Sequence, residues 1–180
     1  MTIKEQLKKM LEMQDKLNAN ILKEFGKNVM TREKLNMAII DELGELTHEL
    51  KGNWCWWKKT QKPVDRKRVL EELVDVYHFV MTWELEYVDS SITTRNEEEQ
   101  MSKYQRIVED SSIEIKYYGK EDECNQNLIP SQIGNIITND YNKLPILIEL
   151  SDTLKFSFDE IYQEYLNKNK INYERLENGY

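Results

Sequence analysis

Between residues 35 and 50 the apolar side chains Leu35, Ile39, Leu43, Leu46 and Leu50 recur every three or four positions. That period fits one face of an α-helix and excludes a strand, whose side chains alternate every two residues. The period returns in Val69, Leu73, Val76 and Val80. Beside each apolar stripe runs an acidic one. Ala38, Glu42, Glu45 and Glu49 share a face next to the first stripe, and Glu72 and Asp75 sit one position before Leu73 and Val76. If the two helices pack antiparallel across the connection at 53–64, four carboxylates converge at the edge of the buried seam, where their repulsion is costly without a cation. Acids beside a helix core are more often simply solvated. It is the repetition, E-x-x-E on one helix and E-x-x-D on the next, that favours a metal. Oxygen-only ligands in this number suit Mg²⁺, with Mn²⁺ as a substitute. Neither histidine is needed: His48 falls off the acidic stripe, and His78 reads equally well as a hydrogen-bonded residue at the core edge.

The rest of the chain is helical in period as well. Leu7, Leu11, Leu17, Ile21 and Leu22 mark a helix from Ile3 to Phe25 that Gly26 stops. Thr31 is the expected N-cap of the helix carrying the first acidic stripe, which ends at Gly52. A third helix starts after Pro63 and continues toward Tyr87. Residues 89–129 are charged and poorly periodic and predict a variable surface excursion with partial helix. Pro145 opens the next helix, and Ser157 or Asp159 caps a last one reaching into "YLNKNKINYERLENGY". There are no repeats and no convincing strand pairs, so the class is all-α. The 180 residues make one domain with its own core. A net charge of -8 argues against a nucleic-acid polymer as partner, since binding a polyanion draws on clustered Lys and Arg. Cys55 and Cys124 are not in a paired spacing and no hydrophobic signal segment opens the chain, so a reducing cytoplasm is expected. No apolar run approaches the ~20 residues of a membrane span.

Three further groups carry chemistry. Gln14 and Asn18 lie on one helix face at i, i+4, and carboxamides both donate and accept, as a ligand edge of alternating C=O and N–H requires. Phe79, one turn after Asp75, reads first as plain core, with packing against a flat ligand as the alternative. At the far end Lys168, Asn172 and Arg175 project to one side; in a chain this acidic, such a face suits phosphate, which Arg grips as a fork and Lys as a point charge.

Glu42-x-x-Glu45 followed by Glu72-x-x-Asp75 resembles the metal motif of the all-α nucleoside triphosphate pyrophosphatases, and the remainder narrows the resemblance to the dimeric dUTPases. "MLEMQDKLN" looks like that family's first helix, whose Gln and Asn, here Gln14 and Asn18, contact uracil. "WCWWKK" is similar to its W-x-x-W-K segment through Trp54, Trp57 and Lys58, and the C-terminal run resembles its phosphate-binding helix through Lys168, Asn169, Asn172 and Arg175. The resemblance implies a helical bundle with a four-helix metal-binding core. It also implies a homodimer that hydrolyses dUTP to dUMP and pyrophosphate and accepts dUDP. Its Mg²⁺ would be held by Glu42, Glu45, Glu72 and Asp75, with Glu42 or Glu45 accepting the proton of the attacking water. Trp57 and Phe79 would join the base site and Lys58 the phosphate site. Two alternatives stand beside it: a relative acting on another nucleotide, such as dCTP or a damaged purine triphosphate, and a helical regulatory protein without turnover.

Overall fold

Thr2 opens the first helix with both halves of a capping box: its hydroxyl accepts from Glu5 N, and the Glu5 carboxylate accepts from Thr2 N. In the computed structural model, which describes residues 1–26, 29–88, 97–120 and 125–179 and omits the side chains of 88 and 97–100, this helix is α1 (Ile3–Phe25). Cys124 and Tyr180 lie outside the described residues. Thr31 caps α2 (Arg32–Glu49), a single turn α3 (Lys51–Trp54) follows, and Asp65 caps α4 (Arg66–Trp83), which continues as a π-helical turn over Glu84–Val88. Then come α5 (Glu97–Asp110), α6 (Ser112–Tyr117), α7 (Ile129–Thr138), α8 (Lys143–Thr153) and α9 (Phe158–Glu177). Among the described residues there is no strand, and no helix is long and apolar enough to cross a membrane.

The architecture follows from α4. Leu73, Val74, Val76, Tyr77, Val80 and Met81 are all fully buried and together cover most of its circumference, the pattern of a helix surrounded by others rather than one lying on a surface. It packs against α2 along one side, α1 and α9 along another, and α8 behind. α2, by contrast, buries only the stripe of Leu35, Ile39, Leu43 and Leu46 and leaves its flank open for acids. α9 docks through Phe158, Ile161 and Tyr165, so the C-terminal segment is a core helix for its first half and carries its cations beyond that anchor.

α8 receives its cap from afar. Asn142 makes no capping bond, and Glu84 Oε1 instead accepts from Lys143 N and Leu144 N at 2.9 and 3.0 Å. The fully buried Lys143 ammonium donates to Ile136 O and Ile137 O at the end of α7 and lies 4.7 Å over the Trp83 ring.

Several expectations shift at their edges. α2 stops at Glu49, and Gly52 lies in α3, where a β-carbon would stand 3.0 Å from Val64 Cγ2 and 3.1 Å from Lys62 O, so the returning loop needs the glycine. α8 starts at Lys143, with Pro145 inside its first turn, where a missing N–H costs nothing. Ser157 is the cap of α9, while Asp159 accepts from Gln6 Nε2. α7 was not among the expected helices. Its Ile129, Ile133 and Ile136 have helical spacing, but Pro130 and Gly134 weaken the signal, and the proline is tolerated because it falls in the first turn. The segment expected as a surface excursion includes α5, which reaches the core through Tyr104, Ile107 and Val108 and ties Tyr104 OH to Asp15 at 2.7 Å.

Candidate active site

A cavity of about 430 Å³ opens between four helices. α1 contributes Gln14, Leu17, Asn18 and Ile21; α4 contributes Asp75, His78, Phe79 and Thr82 at helical spacing; α2 contributes Leu35, Ala38 and Glu42; and α9 contributes Asn172 and Arg175. Its floor is apolar and amide, and acids and cations stand where it meets Glu42, Asp75 and Arg175. A cleft of this size with few convergent polar groups is the usual form of a small-molecule site.

The acids converge as their spacing requires. One carboxylate oxygen each from Glu42, Glu45 and Glu72 lie within 4.8 Å of one another. Burial, followed by the charges of Asp75, Glu45 and Glu72, pushes the Glu42 carboxyl up to about 7. Glu72 and Asp75 are raised as well, first by burial, although Lys168 pulls Asp75 back toward ionisation. Asp75 Oδ2 accepts from Lys168 Nζ at 2.5 Å. Glu49 turns away to pair with Arg68 at 3.1 Å, and Arg68 reaches Glu72 at 3.6 Å. Three half-relieved carboxylates on two rigid helices, with a fourth one turn on, form a donor set of hard oxygens that fits a divalent cation such as Mg²⁺.

On the far wall a buried amide network ties α1, α4 and α9 together. Gln14 Oε1 accepts from His78 Nδ1 at 2.7 Å and from Tyr165 OH at 3.0 Å, and Gln14 Nε2 donates to Asn18 Oδ1 at 2.9 Å and Thr82 Oγ1 at 3.1 Å. Tyr165 stacks on the His78 ring with centroids 4.4 Å apart. Burial drives the His78 imidazole down to about 3, with a smaller push from the Lys168 charge, so the ring is neutral at physiological pH.

The sequence model of the family described as dUTPase matches residues 6–180. The chain belongs to the dimeric, all-alpha dUTPase family. No curated protein matches it. The match runs from α1 to the end of α9 and so takes in every wall of the cavity. The chain is accordingly a dUTP diphosphatase, an enzyme of nucleotide metabolism.

In this dUTPase the residues singled out from the sequence fall into three groups. Gln14, Asn18, Phe79, Glu42, Asp75, Asn172 and Arg175 all line the one cavity, with Glu45 and Glu72 joined to Glu42 and Lys168 joined to Asp75. Asn169 is buried beside Tyr165 and does not line the cavity. Trp57 and Lys58 do not line it either. Trp54 Nε1 donates to Thr47 O and anchors the loop, and Trp57 leans on Trp54 and Trp56 with 56% of its surface exposed. Three polar lining residues were not anticipated as parts of a site: His78, Thr82 and Lys34. His78 and Thr82 had a signal. In "LVDVYHFVMTW" they are the polar residues at i+3 and i+7 from Asp75, on a helix otherwise apolar there.

Proposed function

We propose that this dUTP diphosphatase depends on Mg²⁺, with Mn²⁺ as a substitute, and that Glu42, Glu45, Glu72 and Asp75 hold the ion. The observation that carries the reading is the meeting of two unlike surfaces in one cavity: Glu42 of the three-carboxylate cluster and Asp75 form one edge, and the amides of Gln14 and Asn18 with the Phe79 ring form the other. A nucleotide has the same polarity, phosphates at one end and a flat hydrogen-bonding base at the other.

A bound divalent ion supplies positive charge to phosphate oxygens and lowers the pKa of a water nearby. The chain's own residues do the rest. Glu42 or Glu45 takes the proton of the attacking water, the role a carboxylate beside the reacting phosphate can fill. Arg175, Asn172 and Lys168 grip the phosphates from α9, Asn169 supports that helix face, and Phe79 packs on sugar or base. The apolar floor formed by Leu17, Ile21 and Leu35 excludes water from the base. The products are dUMP and pyrophosphate, and dUDP, which carries the same base and the same first two phosphates, is a second substrate. Trp57 and Lys58 are needed at neither wall and enter as base and phosphate contacts only through their loop. The enzyme works as a homodimer in the cytoplasm, and the exposed Trp56 and Trp57 are apolar surface suited to burial against a second copy.

The test is a nucleotide panel of dUTP, dUDP, dTTP, dCTP and UTP, read by phosphate or pyrophosphate release with and without Mg²⁺. Turnover confined to the deoxyuridine nucleotides and lost on chelation is the expected result. Equal rates on all pyrimidine triphosphates, or rates indifferent to metal, would overturn it.

A further inference from the structure

Glu49 completes the acidic stripe of α2, one turn after Glu45, yet it is not part of the three-carboxylate cluster. Its Oε1 lies 3.1 Å from Nε of Arg68, which reaches over from the first turn of α4. The same guanidinium stands four residues before Glu72 on α4, and its Nη2 comes only to 3.6 Å from Glu72 Oε1. The first distance is that of a hydrogen bond and the second is too long for one. Arg68, Glu49, Glu45 and Glu72 line a second cleft, of about 480 Å³, so the cluster opens to the cavity through Glu42 and to this cleft through Glu45 and Glu72.

An arginine and a glutamate four residues apart on one helix are neighbours and pair readily. A full, bidentate grip by Arg68 would occupy both oxygens of Glu72, the same atoms that a divalent cation needs. The hold seen here is looser. Arg68 gives its short contact to Glu49 on the neighbouring helix, and Glu72 is left with the guanidinium at 3.6 Å. The Glu49 side chain is 21% exposed, against 54% for Arg68, so the carboxylate is the better fixed of the two partners.

Resting on the metal reading of the cluster, we infer that Glu49 is a positioning residue of the metal site: it holds Arg68 toward α2 and so leaves the Glu72 carboxylate free for the ion. Without Glu49 the guanidinium closes on Glu72 and becomes a fixed cation competing for that ligand. The role is indirect. Glu49 touches neither ion nor nucleotide and acts only through Arg68, which distinguishes it from Glu42, Glu45, Glu72 and Asp75.

The experiment measures Mn²⁺ affinity by electron paramagnetic resonance in the nucleotide-free protein, for wild type, Glu49→Gln, Arg68→Met and the double variant. Salt is held at about 0.15 M, where exposed charges more than ~8 Å apart are largely screened. Wild-type binding tests the underlying site by itself, and a wild type that takes up no Mn²⁺ removes the site and this role with it. Glu49→Gln is expected to weaken binding about five- to tenfold, near the low end of what residues orienting a metal ligand contribute. Arg68→Met should bind at least as tightly as wild type, and adding Glu49→Gln to it should change affinity less than about twofold, because the two substitutions act through one contact. An equal loss from Glu49→Gln with and without Arg68 would make Glu49 a ligand itself, and no loss in either background would make it a bystander; both results overturn the inference. So does weaker binding by Arg68→Met alone, which would make Arg68 the support of Glu72. Both side chains reach solvent, and melting temperatures record that each variant is folded. A second readout is the Mg²⁺ concentration that gives half-maximal dUTP hydrolysis. It should rise in Glu49→Gln and return in the double variant, with kcat at saturating Mg²⁺ unchanged, and a folded Glu49→Gln that needs no more Mg²⁺ than wild type counts against the role.

Discussion

Lys168 Nζ lies 2.5 Å from Asp75 Oδ2, so a lysine of α9 holds the fourth acid of the motif while Glu42, Glu45 and Glu72 crowd together on the neighbouring turns. A lysine in that position competes with any cation that uses Asp75. Both side chains are largely buried, 19% and 16% exposed, and the pair is stronger than a surface salt bridge. Lys168→Met should therefore tighten Mn²⁺ binding in the absence of nucleotide, by about fivefold if the pair contributes ~1 kcal/mol. Its dUTP turnover should fall, because the same ammonium is proposed to hold phosphate. Mn²⁺ titration followed by electron paramagnetic resonance reads the affinity directly. Weaker binding in the folded variant would mean that Lys168 supports the metal site instead of competing for it.

The crowding at Glu42 has a pH signature. An acid whose folded pKa is raised favours folding only while it keeps its proton, so the benefit is complete below the unfolded value of about 4.3 and is gone once pH passes the folded value. Glu42 and Glu84 are both pushed up to about 7, chiefly by burial. The metal-free protein should accordingly melt a few degrees lower at pH 8 than at pH 5.5. Saturating Mg²⁺ should remove the share due to Glu42 and leave that of Glu84, and Glu42→Gln should do the same without metal. Glu45→Gln should abolish turnover with no loss of melting temperature in the metal-free state, and Asp75→Asn should abolish it while giving up the contribution of the Lys168 pair. A calorimetric scan that shows the apo protein equally stable at both pH values, or more stable at pH 8, would contradict the burial of these acids.

Gln14 and Asn18 should respond differently to alanine. Removing Gln14 leaves His78 Nδ1 without its partner and Tyr165 OH without its 3.0 Å bond, and takes one bond each from Asn18 and Thr82, which keep their bond to each other. Buried networks of this kind lose more than one bond's worth of stability, of the order of 2–4 kcal/mol. Asn18→Ala removes one member at the cavity wall, and its larger effect should be on KM for dUTP. Urea denaturation and steady-state kinetics separate the two. Should Gln14→Ala melt like the wild type, the buried network would contribute nothing measurable to stability.

The two acidic stripes and the cation face of α9 were legible in the sequence because each is periodic on a single helix: a three- or four-residue spacing survives folding whatever the helix packs against. The four helices that make the cavity were legible for the same reason. What escaped were relationships between helices. His78 looks like a core-edge residue until Gln14 of α1 fixes its tautomer, and Asn169 looks like its neighbour Lys168 until one finds that α9 buries it. Nor does the local sequence of α8 reveal its cap, which comes from Glu84, far away in the chain. Trp57 and Lys58 read as parts of a site by resemblance alone, and in the single chain both are exposed.

Arg175 offers the cleanest test of the phosphate end. It lines the cavity with Asn172, bears on Asp75 electrostatically, and lies nearly three turns beyond Tyr165, the last fully buried anchor of α9. Its removal should leave the core intact, so Arg175→Ala is expected to melt within about a degree of the wild type, as surface changes away from packing generally do. A charge-assisted phosphate contact is worth ~1.5–3 kcal/mol, or about one to two decades in kcat/KM for dUTP. The loss should be smaller for binding of dUMP, which carries one phosphate instead of three. Combined with Lys168→Ala the losses should fall short of additive if both cations grip the same phosphate group. A chain ending at Lys170 keeps Tyr165 and its anchors and drops both Asn172 and Arg175, so it should fold, bind Mn²⁺ and turn over dUTP only at a trace rate. Full-speed hydrolysis by that shortened chain would place the phosphate site elsewhere.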